Sequence, residues 1–221
     1  MSSISDFDCV WKAVGFLFIV DFGVFFTISL APEAIDLLYL SLNRPWGVVT
    51  SMFAHADADH LANNLLAFAV AALLFIAVNL NLDKRSKKRA GRLFLHLPIL
   101  AGAIVNVGEY VAIALKNASS TASWGSSGIV YGATGLLLIA AIRNLPMNLK
   151  IAGAHKAEKP ALWKRRIALF SFLLPIGMVG WLVLEPSGFF SAGAGVDIRA
   201  HALGFLFGYL GGMIMLFSRD R

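Results

Sequence analysis

Polar residues in this chain mostly punctuate six apolar runs. The runs cover roughly Trp11–Leu30, His60–Leu80, Leu93–Leu115, Ser127–Ile142, Ile167–Leu184 and His201–Phe217. A helix needs ~20 apolar residues to cross the hydrocarbon layer, and these runs meet or approach that length. The pattern predicts an all-α membrane protein, a six-transmembrane-helix bundle in one domain over residues 1–221. The fourth and sixth runs are short and begin with polar residues, which suggests a cavity open at that end. The stretch Ala31–Asp59 is long and semi-apolar (Leu37, Leu38, Tyr39, Leu40, Trp46), the composition of a piece lying in the membrane interface.

Composition agrees. Of 221 residues, 58% are hydrophobic and 14% charged, and the mean hydropathy is +0.72. Soluble domains carry about 45–50% apolar and about 25% charged residues, so a soluble fold of this size would leave apolar surface uncovered. The polar segment Met1–Asp8 has no basic residue and is not expected to be a cleaved signal peptide. Cys9 is the only cysteine, so no internal disulfide forms.

The net charge of +6 invites a nucleic-acid reading, but the positions of the charges exclude it. With the N-terminus placed in the cytoplasm, Lys12, the block Lys84–Arg92, the block Arg143–Arg166 and the tail residues Arg219 and Arg221 all fall on the cytoplasmic side. Only Arg44, Lys116 and Arg199 fall outside. This is the positive-inside distribution. It predicts six spans with both termini cytoplasmic.

Under that topology three polar clusters share the outer side. Span two opens with His55, His60 and Asn64, span four with Gly125-Ser126-Ser127-Gly128, and span six with His201. Polar groups at membrane depth are costly and imply partners or function. His60 and Asn64, four apart, share a helix face, as do Ser127 and Tyr131. Gly128 and Gly132 form one small-residue pair, and Gly204 and Gly208 continue a stripe below His201. Small residues let transmembrane backbones approach closely, which would bring span six against span four and His201 toward Ser127, with Tyr131 beside the imidazole.

These motifs resemble those of the rhomboid family: His55-x4-His60-x3-Asn64 on span two, Gly125-Ser126-Ser127-Gly128-x2-Tyr131 on span four, and Ala200-His201-x2-Gly204-x3-Gly208 on span six. The resemblance covers about three-quarters of the chain and fits a minimal six-span form. It implies an intramembrane serine endopeptidase with Ser127 as nucleophile and His201 as general base, a dyad in which Tyr131 packs on His201 in place of an acid. It also implies oxyanion stabilisation by His60, Asn64 and the Ser127 backbone N–H, with His55 in support. The expected partners are the lipid bilayer and transmembrane protein substrates cut near their outer ends at a small residue. No cofactor, metal or nucleic acid is called for, and the site would open to the non-cytoplasmic side.

Two other classes compete. One is a metal site built from His55, His60, His201 and Asp57 or Asp59, although the His55–His60 spacing turns the two rings to different helix faces and no HExxH pattern occurs. The other is a catalytically inactive relative that binds transmembrane helices, which would be expected to lack Ser127 or His201. An α/β-hydrolase elbow is excluded because Ile129 stands where GxSxG needs glycine. His96 and His155 read as ordinary interfacial or loop residues. Asp21 and Glu109 read as locally hydrogen-bonded groups, Asp197 as a loop residue, and Asn117-Ala118-Ser119 as a chance sequon.

Overall fold

A computed structural model describes residues 4–55, 57–116, 125–153, 162–190 and 198–217. Within these residues nine α-helices are found: α1 Asp8–Leu30, α2 Ile35–Leu38, α3 Gly47–Thr50, α4 Ala58–Asn79, α5 Lys84–Lys116, α6 Ser127–Ala152, α7 Leu162–Leu184, α8 Pro186–Phe190 and α9 Ile198–Phe217. Six of them, α1, α4, α5, α6, α7 and α9, are long and apolar enough to cross a membrane. Among the described residues there is no β-strand, only an isolated bridge between Ser41 and Arg44.

The boundaries follow from caps. Asp57 caps α4, its Oδ1 accepting the His60 N–H at 2.7 Å, and this sets the register of His60 and Asn64. Asp83 caps α5, accepting the Arg85 and Ser86 N–H groups and the Ser86 hydroxyl at 2.9, 3.1 and 2.6 Å. The Ser86 hydroxyl bond holds the Asp83 carboxyl below its usual range. The block Lys84–Arg92 therefore rides on the first turns of α5 rather than in a loop. Lys87 is buried there, 4.0 Å from Asp6. Span four is not short: α6 runs 26 residues with Pro146 inside it, because Leu145–Ala152 continues the helix past Arg143.

Helix α6 is the axis of the bundle. It packs against α4, α5, α7 and α9, and Gly132, Ala133 and Gly135–Ala141 are all buried, as expected of a helix surrounded by others. Helices α1 and α7 lie outside and leave most of their apolar residues uncovered. Ile19 on α1 is 75% exposed and Leu184 on α7 is 83% exposed. So much uncovered apolar surface calls for lipid rather than water around the bundle.

Lipid supplies little hydrophobic drive between helices, so close contact and polar links must hold them. A Cβ on Gly204 would lie 2.7 Å from the Gly128 carbonyl oxygen, and one on Gly208 would overlap the Gly132 carbonyl. Any side chain there would push α9 off α6. At the end of the bundle away from Ser127, Asn144 donates to Asn79 Oδ1 at 3.0 Å and to the Val78 carbonyl at 3.3 Å. Asn81 donates to Asn148 Oδ1 at 3.1 Å.

The connection after α1 is a series of short helical pieces fastened to α5. Asn106 donates to the Val48 carbonyl and to Ser51 Oγ at 3.0 and 2.9 Å. Tyr110 donates to the Leu42 carbonyl at 3.3 Å.

Candidate active site

The N-terminal ends of α4, α6 and α9 meet at one end of the bundle. The chain enters α6 through Gly125, whose φ of +112° is in the left-handed region that only glycine adopts cheaply. Its N–H donates to the Ser51 carbonyl at 2.8 Å. A Cβ on Gly125 would lie 2.8 Å from His60 Cε1 and 3.7 Å from Asn64 Nδ2. The His60 and Asn64 side chains thus converge on the space immediately before Ser127.

Ser127 is the first residue of α6 and is half-buried. Its neighbour Ser126 is fully buried. One turn on, the Tyr131 ring stacks on the His201 ring, with centroids 4.2 Å apart and planes 23° apart. His201 itself is 3% exposed. Its Nδ1 lies 2.5 Å from the Phe190 carbonyl oxygen. A carbonyl only accepts, so Nδ1 carries the proton, and Nε2 keeps its lone pair in the neutral ring. The Tyr131 hydroxyl donates to the adjacent Phe189 carbonyl at 3.0 Å. The last carbonyls of α8 therefore hold both rings. This orienting role belongs to backbone atoms, which no residue pattern announces. Asp197, His155 and Asn117 lie outside the described residues.

His55 lies before α4, not on it, in the segment that leads from Phe53 into the helix. Its Nδ1 donates to the Phe53 carbonyl at 3.3 Å, and its Nε2 accepts from Asn64 Nδ2 at 3.1 Å. Burial, reinforced by the nearby His60 ring, pushes its pKa down to about 4. The ring is neutral near pH 7, as these two bonds require. One Asn64 N–H is thereby fixed on His55, and the other amide hydrogen and the carbonyl remain to serve the cleft.

Asp21 differs from expectation. Instead of bonding within its own helix, its Oδ2 accepts the Ser126 hydroxyl at 3.0 Å and lies 4.0 Å from His55 Nε2. Asp21 is completely buried. Glu109 is half-buried on α5, and His96 lies within α5, past its first turns.

Among the described residues no three His, Cys, Asp or Glu side chains gather as a metal site would need. His55 and His60 are neighbours, with ring centroids 5.1 Å apart, while His201 pairs with Tyr131.

A family model described as Rhomboid domain matches residues 42–218. Comparisons with curated proteins and with solved structures gave no match.

Proposed function

This chain belongs to the rhomboid family, a family of intramembrane proteases, and from that premise we propose that it is a serine endopeptidase that cuts transmembrane segments of other membrane proteins with a Ser127–His201 dyad. The observation that carries the reading is the His201 environment. An Nδ1–H committed to the Phe190 carbonyl and a face stacked on Tyr131 orient an imidazole whose Nε2, in the neutral ring, can take a proton.

A serine hydroxyl attacks poorly until a base removes its proton. In the proposed reaction His201 Nε2 takes the Ser127 proton as Oγ bonds to the scissile carbonyl carbon. The resulting oxyanion meets the N–H groups of Asn64, His60 and the Ser127 backbone. Such prearranged donors are worth about 3–4 kcal/mol each when well placed. Collapse breaks the C–N bond, and the proton on His201 passes to the leaving amine. Water then attacks the acyl-enzyme, giving its proton to His201, and Ser127 regains that proton as the acid product leaves.

The orientation proposal rests on charge. The basic residues Lys84–Arg92, Lys150 and Lys164–Arg166 lie at helix ends away from Ser127. The positive-inside rule then makes those ends cytoplasmic and opens the site to the other side. Substrates would be membrane-spanning segments that unwind readily near that face and carry a small residue at the cut.

The test is cleavage of a panel of labelled transmembrane segments by purified protein in detergent and in liposomes. Wild type should cut at least one segment at a single bond, and Ser127→Ala should cut none. Equal cleavage by both would refute the proposal.

A further inference from the structure

A carboxyl group inside an apolar span is expensive and persists only with partners or a task. Asp21 is such a group, and what it touches lies far away in the chain. Its Oδ2 accepts from Ser126, 105 residues on, and Oδ1 has no hydrogen-bond partner among the described residues. Ser126 is also the N-cap residue of α6, where a serine oxygen ordinarily accepts a backbone N–H from the first turn. Here it makes no side-chain cap bond, and its hydroxyl is turned to Asp21 instead.

Two further contacts tie this pair to the reacting groups. Ser126 Oγ and the Ser126 N–H lie 3.3 and 3.5 Å from His55 Nε2, the same nitrogen that accepts from Asn64. Ser126 also adjoins the nucleophile directly, following Gly125, whose N–H is held by Ser51. One carboxyl group on α1 therefore sits behind both the turn that presents Ser127 and the ring that holds Asn64.

We propose that Asp21 is a positioning residue for the proteolytic site, fixing the Gly125–Ser127 turn through the Ser126 hydroxyl and thereby holding the Ser126 N–H where it donates to His55 Nε2, the nitrogen that steadies Asn64. It touches no substrate. It couples the first span to the catalytic helix, an outer element whose apolar surface faces lipid. The inference rests on the proteolytic reading above. It extends the pair Ser127 and His201 by a supporting layer, and such a layer is what holds reacting groups within the small tolerances catalysis needs.

The experiment compares Asp21→Leu, Asp21→Asn, Ser126→Ala and the double variant D21L/S126A with wild type, using a cleaved transmembrane segment and the acylation rate with a fluorophosphonate probe. Folded protein is quantified by size exclusion and thermal unfolding in detergent. Losing one partner of a buried polar pair predicts a kcat drop of about ten-fold or more for D21L, with KM within about two-fold and a parallel fall in acylation rate. D21N keeps an oxygen acceptor for the Ser126 hydroxyl and should recover to within about three-fold of wild type. S126A should match D21L, and the double variant should lose no more than either, since all three break one link. An unchanged kcat in D21L overturns the inference. So does a D21N as impaired as D21L, or losses that multiply in the double variant. If D21L does not fold, D21N and S126A decide: wild-type kcat in S126A overturns the inference. A wild type that neither cleaves nor labels overturns both this inference and the proteolytic reading. An active wild type with indifferent Asp21 variants overturns the inference alone.

Discussion

In the proposed dyad the bond between His201 and the Phe190 carbonyl takes the orienting place often given to an acidic third member. An acid would orient the imidazole and stabilise its charged form. A carbonyl orients it and fixes the tautomer with less charge stabilisation, and Tyr131 supplies the rest of the ring's seat. Replacing Tyr131 by Phe keeps the stacked ring and removes only the hydroxyl bond to Phe189. We expect a stability loss of about 1 kcal/mol with cleavage retained, and His201→Ala should abolish cleavage while the fold persists. Thermal unfolding and substrate cleavage measured on the same preparations check both. Substituting Ser126 should carry a cost, because its hydroxyl is buried between Asp21 and His55.

His55 gives a pH dependence. Its pKa is about 4 in the folded protein against a usual 6.5. Between those values the unfolded chain takes up a proton that the folded ring refuses, so stability falls as the pH is lowered through that window. Protonation would also put a hydrogen on the nitrogen that accepts from Asn64. On going from pH 7 to pH 5 in detergent, the unfolding temperature of wild type should therefore shift downward relative to that of His55→Gln, which lacks this contribution. A wild-type slope unchanged in the variant would assign the effect to other groups. The motif residues of spans two, four and six were readable from spacing. The α8 carbonyls and the Asp21–Ser126 bond were not, because one is backbone and the other joins positions that no periodicity relates.

At Gly128–Gly204 and Gly132–Gly208 helices α6 and α9 meet backbone to backbone, and that contact sets how close the His201 turn comes to the Ser127 turn. Gly204 packs on the Gly128 carbonyl, a backbone atom that cannot swing aside. Gly204→Val should cost more than the about 1–3 kcal/mol typical of overpacking and should lower cleavage even where folded protein is recovered. Gly125→Ala tests a different constraint, since it combines a left-handed φ with a clash against His60. It should eliminate cleavage, with a smaller loss of thermal stability than Gly204→Val. The two variants compared by unfolding temperature and kcat separate helix approach from turn geometry. Element boundaries were the weakest part of the sequence reading. Apolar runs locate the lipid-crossing parts of helices but not their polar extensions, so the basic turns of α5 and the tail of α6 beyond Arg143 read as loops.

For the molecule as a whole, the bundle is a buried α6 enclosed by neighbours, with α1 and α7 facing lipid. The count of six spans was readable because hydrocarbon thickness imposes one length on every crossing. The side on which the site opens rests on the basic residues. It predicts that, in a Cys9→Ala background, Ser187→Cys is labelled by an impermeant maleimide from outside intact cells. Arg85→Cys should be labelled only after permeabilisation, and the reverse pattern would invert the topology. Both positions are exposed. Whether Ser127 is a nucleophile activated by His201 is decided by locating a fluorophosphonate adduct by mass spectrometry on the purified protein. One adduct is expected, on Ser127, lost in Ser127→Ala and His201→Ala, and formed on the same residue, at a rate about ten-fold lower, in Ser126→Ala. An adduct on any other residue, or undiminished labelling in His201→Ala, would contradict it.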